Sequence, residues 1–359
     1  MSDLRAAIIG YGLAGRFFHA PLIAATKGLV VAAVVTSDPA RQAQVAREHP
    51  DARVLASQEE LWELADCDLV VVAAPNEAHA PLALEAIDHQ LAVVVDKPLA
   101  VTAAEAEAVV LGAEQAGVLL TVFQNRRFDS DHRTLVRLLA DHRLGTVVRY
   151  ESRLERWRPR SDAGAWRESL PPERGGGRLL DLGSHLVDQA LVLFGPATYV
   201  YAEVDARRGA PSDDDAFVAL RHASGVISHL RASAITAAPG PRLRVLGTEA
   251  AFVVSDPDSQ ESKLRDGARP DTDPDWGMEP AARWGRLVTG EDSVPVPSER
   301  GAWPQFYASL ATALRTGGPP PVNPFDAVAT LRVLDQARRS ANDRAVVALA
   351  DLTLASSVG

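Results

Sequence analysis

The stretch Leu4-Arg5-Ala6-Ala7-Ile8-Ile9-Gly10-Tyr11-Gly12-Leu13-Ala14-Gly15 decides the fold. A compact apolar run, read as a strand, passes straight into G-x-G-x-x-G, and a helix is expected over 17–25. In such a turn Gly10 permits the tight reversal, Gly12 lets backbone approach a pyrophosphate, and Gly15 allows close packing of helix on strand. The helix N-terminus then offers unpaired N–H donors to an anion. Purely structural glycine turns meet the same pattern, so its surroundings decide.

Outward from the turn, apolar runs rich in valine recur at 29–35, 68–74, 91–95 and 118–123. Helical stretches are expected between them at 39–48, 80–89 and 103–115. Nearly continuous β-branched runs are what a parallel sheet covered on both faces requires. The helix lengths suit right-handed βαβ crossovers. The fold class is therefore α/β, with residues 1–123 expected to form a doubly wound, Rossmann-type dinucleotide-binding domain.

Beyond 123 the texture changes. A helix at 130–141 leads into a half-solvated strand at 147–156; Gly175, Gly176 and Gly177 then precede an apolar helix expected over 179–194. Runs near 198–207, 214–221, 225–235, 241–246 and 250–255 follow, separated by short polar turns. Successive strands joined by tight turns indicate a large, mainly antiparallel open sheet, with helices on one face in an α+β domain. The polar, acidic, proline-containing segment 256–290 is read as a long surface excursion. Helices are expected at 303–315 and 324–340, the latter started by Asn323-Pro324. This second domain, for substrate binding and oligomerisation, spans 124–345, and 346–359 is left as a tail.

The chain has 359 residues, and its 37 Lys and Arg against 47 Asp and Glu give a formal net charge of -10. That surplus argues against a nucleic-acid partner held by phosphate neutralisation. The lone cysteine, Cys67, excludes an internal disulfide and a thiolate zinc cluster, and no metal is expected. No run nears the roughly 20 apolar residues that span a bilayer, and no basic leader opens the chain. A cytoplasmic protein without a membrane partner is expected.

Ligands of such sheets lie beyond the carboxyl ends of the strands, so the residues there are the candidates. The second strand ends Val35-Thr36-Ser37-Asp38-Pro39, with Arg41 close behind. An NAD-selective site usually carries an acid at this place. Ser37 leaves room for a 2′-phosphate that Arg41 would contact, so NADP is favoured, with NAD open if Asp38 takes the acidic role. A plain helix cap by Ser-Asp-Pro fits either cofactor. Pro75, Asn76 and His79 follow the run at 68–74, Asn76 placed for the cofactor and His79 for either the cofactor or a helix start. Asp96-Lys97-Pro98 ends the run at 91–95, where an ammonium would face the nicotinamide. In the second domain Asp181 and His185 stand at i and i+4 and would share one helix face, with Asp188 a turn further. An imidazole can take a proton from an alcohol as hydride leaves its carbon.

The glycine motif, Asp96-Lys97-Pro98 and Asp181-Leu182-Gly183-Ser184-His185 together resemble the Gfo/Idh/MocA oxidoreductases, the glucose–fructose oxidoreductase and inositol dehydrogenase family. The resemblance runs over roughly residues 3–340. The stretches AIIGYGLAGRFFHAPLI, VVVDKPLAVT, TVFQNRRFDSD and ERWRPR are most similar to its scyllo-inositol dehydrogenase-like, NADP-linked members. The family's triplet usually begins with Glu; here it is Asp96. The resemblance implies Lys97, Asp181 and His185 as catalytic residues and a cis Pro98. Together with the glycine motif and the strand ends, the expected cofactor site is Gly10, Gly12, Leu13, Ala14, Gly15, Ser37, Arg41, Pro75, Asn76, His79, Lys97 and Pro98. A polyol or sugar would meet Lys97, Asn125, Arg127, Trp166, Asp181 and His185, with Phe128 and Trp157 as further apolar walls and Arg126 at the domain junction. The implied reaction is a reversible alcohol–ketone interconversion, in a homodimer or homotetramer joined through the second sheet. Two alternatives stay open: a weakly catalytic cofactor-binding sensor, and redox-coupled elimination or hydrolysis of a sugar derivative.

Overall fold

Strands β1 (Leu4–Ile9), β2 (Leu29–Val35), β3 (Arg53–Leu55), β4 (Leu69–Val72), β5 (Ala92–Asp96) and β6 (Leu120–Phe123) form one sheet in the order 3-2-1-4-5-6. Every pairing in it is parallel. The computed structural model that shows this describes residues 2–64 and 66–349. β4 and β5 are buried along their whole length, which is why they read as unbroken valine runs rather than as alternation. The order reverses between β1 and β4, and the crevice beyond their carboxyl ends is the place where such a sheet receives a dinucleotide. β3 and the helix Gln58–Leu64 were not legible in the sequence; β3 is a half-buried edge of three residues, too short to show a period.

Helix boundaries follow local chemistry. Thr102 and Glu105 form a reciprocal capping box at the start of Ala103–Ala116, and Gly117 ends it in the left-handed region. Asn323 caps Pro324–Asp343 by accepting from the Phe325 N–H. The helical expectation at 17–25 resolves into a π-helical turn, Gly15–His19, that continues as Ala20–Ala24.

The second sheet holds β7 (Val147–Glu155), β8 (Ala197–Asp205), β9 (Asp215–His222), β10 (Ile227–Ser233), β11 (Leu243–Gly247), β12 (Ala251–Val254), β13 (Arg286–Thr289), β14 (Asp292–Pro295) and β15 (Val347–Ala348). Their order is 14-13-12-11-7-10-9-8-15. All neighbours are antiparallel except β7 and β10. Burial alternates along β9, so Ala216, Val218 and Leu220 point to the covered face. The helices Gly183–Phe194 and Pro324–Asp343 cover that face, and Pro324–Asp343 also packs on Ala103–Ala116 of the first unit. Among the described residues no helix is long and apolar enough to cross a membrane.

Three expectations need correction. The helix foreseen over 179–194 is two helices, Arg178–Asp181 and Gly183–Phe194. The Asp181 carbonyl accepts from Lys97 Nζ at 2.7 Å and from the Ser184 hydroxyl at 3.2 Å, and the helix breaks where that carbonyl is claimed from outside. Segment 256–290 is no surface excursion. It carries the helix Gln260–Arg265 and strand β13, and Leu264 and Trp276 are buried against the first unit's core. Full burial of such side chains stabilises by roughly 1.5–3 kcal/mol each. Gln260 Oε1 accepts from Trp276 Nε1 and the Trp303 N–H, which ties the segment down. The tail expected over 346–359 begins as edge strand β15 paired with β8; from 350 on it lies outside the described residues.

Candidate active site

β1 delivers the chain into the glycine turn. Gly10 has a φ of 99°, and a Cβ there would stand 2.6 Å from the Ala73 carbonyl oxygen. At Gly15 a Cβ would stand 1.9 Å from the Gly10 carbonyl oxygen, so only glycine lets the turn close. Above Gly12 the nearest group is an Arg41 guanidinium nitrogen at 3.9 Å from that virtual Cβ, which leaves backbone open to a ligand. The cradle fits a dinucleotide pyrophosphate. Gly15→Ala is accordingly expected to lower stability by about 1–3 kcal/mol through overpacking and to weaken NADPH binding. A urea midpoint and a cofactor titration both unchanged from wild type would contradict the tight closure.

At the end of β2, Ser37 and Arg41 are exposed. Asp38 is the N-cap of Pro39–Glu48, accepting from the Ala40 N–H at 2.9 Å, with its second oxygen 3.5 Å from Arg41 Nε. The carboxylate is committed to helix and guanidinium.

β5 ends at Asp96, and the Lys97–Pro98 peptide is cis. Lys97 Nζ donates to the Asp181 carboxylate at 2.9 Å as well as to its carbonyl. Arg178 and Arg167 stand 3.2 and 3.3 Å from the same carboxylate. Burial alone would raise the Asp181 pKa, but Lys97, Arg167 and Arg178 hold it far below the usual carboxylate range. Asp181 is thus a fixed anion at the hub of three cations. His185 lies in the first turn of the next helix, its Nδ1 buried without a hydrogen-bond partner. Burial, and then the charges of Lys97 and Arg126, push the imidazole well below its ordinary value, so it is neutral at pH 7.

Lys97, Asp181 and His185 line one cavity of about 200 Å³ together with Leu13, Ala14 and Asn125. The first domain's strand ends and the second domain's split helix therefore meet at one place.

Other candidates lie elsewhere. Arg127 turns away, paired with Asp188 at 2.6 Å and Asp326 at 2.9 Å; that also removes Asp188 from the cavity. Adjacent Arg126 faces the cavity instead. Asn76 donates to the Gly175 carbonyl at 2.8 Å and so clamps the turn that Pro75 opens to the second domain's glycine break. Both His79 ring nitrogens lie against backbone carbonyls, of Pro98 at 2.7 Å and Ala74 at 2.8 Å. His79 is a buried brace between two strand-end turns and offers the crevice no nitrogen. Trp166 stacks under Arg167, its ring centroid 4.3 Å from the guanidinium carbon; the cavity is lined by its neighbours Ala165 and Arg167 rather than by Trp166. Phe128 packs on Phe306 in the core, and Trp157 is 57% exposed.

Sequence reasoning gave no role to Arg156, Arg167, Arg178, Glu261 and Arg265, which also line the cavity. Arg156 lies in the quoted ERWRPR stretch, whereas Glu261 and Arg265 fell in the segment misread as an excursion.

Residues 4–124 match the family described as "Oxidoreductase family, NAD-binding Rossmann fold", and residues 132–253 match the Gfo/Idh/MocA C-terminal domain. A Bacillus subtilis protein, scyllo-inositol 2-dehydrogenase (NADP(+)), is 32% identical over 353 residues, covering 97% of each chain. The chain belongs to the Gfo/Idh/MocA family. It is an NAD(P)-dependent oxidoreductase. An uncharacterised oxidoreductase of Escherichia coli is 36% identical over 98% of this chain and 100% of its own. Among solved structures, an oxidoreductase of Bacillus subtilis superposes with a TM-score of 0.91 at 32% identity, covering 97% of this enzyme and 99% of that chain. One from Yersinia pestis gives 0.89 at 34% identity, covering 97% and 98%.

Proposed function

We propose that this enzyme interconverts a secondary alcohol and its ketone on a cyclitol or sugar, with NADP the preferred dinucleotide and NAD the alternative. The observation that carries this reading is the convergence of Lys97, Asp181 and His185 on one cavity beside the glycine turn. When bound, the nicotinamide supplies the two-electron hydride acceptor for oxidation and the donor for reduction.

The chain's own residues handle the proton and the charge. His185, neutral at pH 7, accepts the carbinol proton in oxidation and returns it in reduction. Lys97 Nζ, already donating to two Asp181 oxygens, keeps a third N–H for the substrate oxygen and stabilises its developing negative charge. Asp181 fixes the direction of that ammonium. The Bacillus subtilis relative's name, a scyllo-inositol dehydrogenase using NADP(+), supports a cyclitol or sugar.

The position of Arg41 beside Gly12, and the capping role of Asp38, support NADP. Arg41→Ala is expected to raise the Kd for NADPH about tenfold, as loss of a charge-assisted phosphate contact does, with a smaller change for NADH. Equal losses would mean that Ser37 and Arg41 do not read a 2′-phosphate. We also infer a cytoplasmic homodimer or homotetramer joined through the outer face of the nine-stranded sheet.

The test is absorbance at 340 nm with NADP or NADPH and a panel of inositols, aldoses and 1,5-anhydro sugars. Net cofactor turnover with at least one of them is expected. Binding without turnover across the panel would favour a sensor, and product without net cofactor change would favour redox-coupled elimination or hydrolysis.

A further inference from the structure

Arg156-Trp157-Arg158 continues β7 in extended form, held by Arg156 N–H to the Ser233 carbonyl and Arg158 N–H to the Ala234 carbonyl. Side chains alternate along such a segment. Trp157 takes one side, while half-buried Arg156 and solvent-exposed Arg158 both line the cavity that holds Lys97, Asp181 and His185. The same pair also lines an adjoining cleft of about 660 Å³.

Seven basic and four acidic side chains line the smaller cavity. The acids are already committed. Asp181 serves Lys97, Arg167 and Arg178. Glu168 serves Arg178 and Arg208. Asp96 faces His19 at 3.6 Å. Glu261 is bonded to Arg126 at 2.8 Å and lies 3.5 Å from Arg265. Arg156 reaches only this shared carboxylate among the described residues, at 3.7 Å. Among the described residues, Arg158 has no carboxylate within ion-pair distance. Burial pushes the Arg156 pKa down, and the like charges of Arg126 and Arg158 add to it against the opposing pull of Glu261 and Asp181. The net charge of -10 belongs to the chain as a whole and is reversed at this site.

We propose that the substrate is a polyol or sugar bearing an acidic group, a carboxylate or a phosphate, which Arg156 and Arg158 receive while its carbinol lies at Lys97 and His185. The planar guanidinium fork suits either oxyanion bidentately. The cofactor's phosphates have other partners: the glycine turn for the pyrophosphate and Arg41, at the end of β2, for a 2′-phosphate. The inference rests on the oxidoreductase reading above and adds the substrate's charge to it.

The experiment titrates the NADPH-saturated enzyme with D-glucuronate against D-glucose, and with myo-inositol 1-phosphate against myo-inositol, following cofactor fluorescence. At least one acid is expected to bind about tenfold or more tightly than its neutral parent, and the two pairs separate carboxylate from phosphate. The preference should shrink between about 50 and about 500 mM KCl and collapse in the Arg156→Gln/Arg158→Gln variant. Neither acid preferred, or a preference that survives in the folded double variant, overturns the proposal. So does a loss of NADPH affinity in the variant that matches the loss for the acid, since the pair would then serve the cofactor. If the double variant fails to fold, the wild-type acid preference and its salt dependence decide. Absorbance at 340 nm with NADP keeps the two readings apart. Neutral polyols oxidised without acid preference sink the anion subsite alone, whereas acid preference without turnover sinks the reaction alone.

Discussion

Replacing Lys97 by Met is expected to lower kcat for polyol oxidation by about 10²–10⁴, the range for a group that stabilises charge or assists proton transfer. The loss should fall on turnover rather than on folding. Removing one partner of a buried ion pair commonly costs about 3–5 kcal/mol because the other charge is left alone. Here Asp181 keeps Arg178 at 3.2 Å and Arg167 at 3.3 Å after the ammonium is gone. The carboxylate stays neutralised, so circular dichroism and the urea midpoint should remain near wild type. A variant whose kcat stays within about threefold of wild type would remove Lys97 from the chemistry.

His185→Phe is expected to lose a similar factor in kcat, with a signature that Lys97→Met lacks. A general base works only while unprotonated. Burial, Lys97 and Arg126 push this imidazole well below the usual 6.5, so kcat/KM for oxidation should stay level as pH falls through 6.5. It should decline only in more acidic solution, as the ring takes its proton. In His185→Phe that acid limb should vanish along with most of the rate. An acid limb at the ordinary histidine value, or one that persists in the variant, would assign the proton to another group.

What was legible follows from where the determining interactions lie. β1, the glycine turn and the buried strands β4 and β5 are specified by their own residues, because a strand covered on both faces must be apolar at every position. Lys97 was legible for the same reason: it stands at the end of such a strand, before a proline. The break at Leu182 was not, because a lysine 84 residues earlier in the chain claims the Asp181 carbonyl. Arg126 and Arg127 exchanged roles because they are neighbours on the 3-10 turn Asn125–Phe128. Only the partners Asp188 and Asp326, far along the chain, settle which one faces the cavity. Asn76 and His79 sit where the sequence puts them, but the Asn76 amide nitrogen and both His79 ring nitrogens are spent on the Gly175, Pro98 and Ala74 carbonyls. The signal for 256–290 was present and undervalued: Leu264 and Trp276 are isolated large apolar residues in a polar stretch, and both are core.

The central claim is that hydride passes between a carbinol carbon of the substrate and the dinucleotide while Lys97 and His185 manage the oxygen. The most direct measurement incubates the enzyme and NADP with inositol or sugar deuterated at its carbinol carbons and reads the label in the recovered cofactor by mass spectrometry. Deuterium should enter the nicotinamide with wild type and be absent over the same time with Lys97→Met and His185→Phe. Substrate consumed with no label in the cofactor, or label transferred equally well by both variants, would contradict the account.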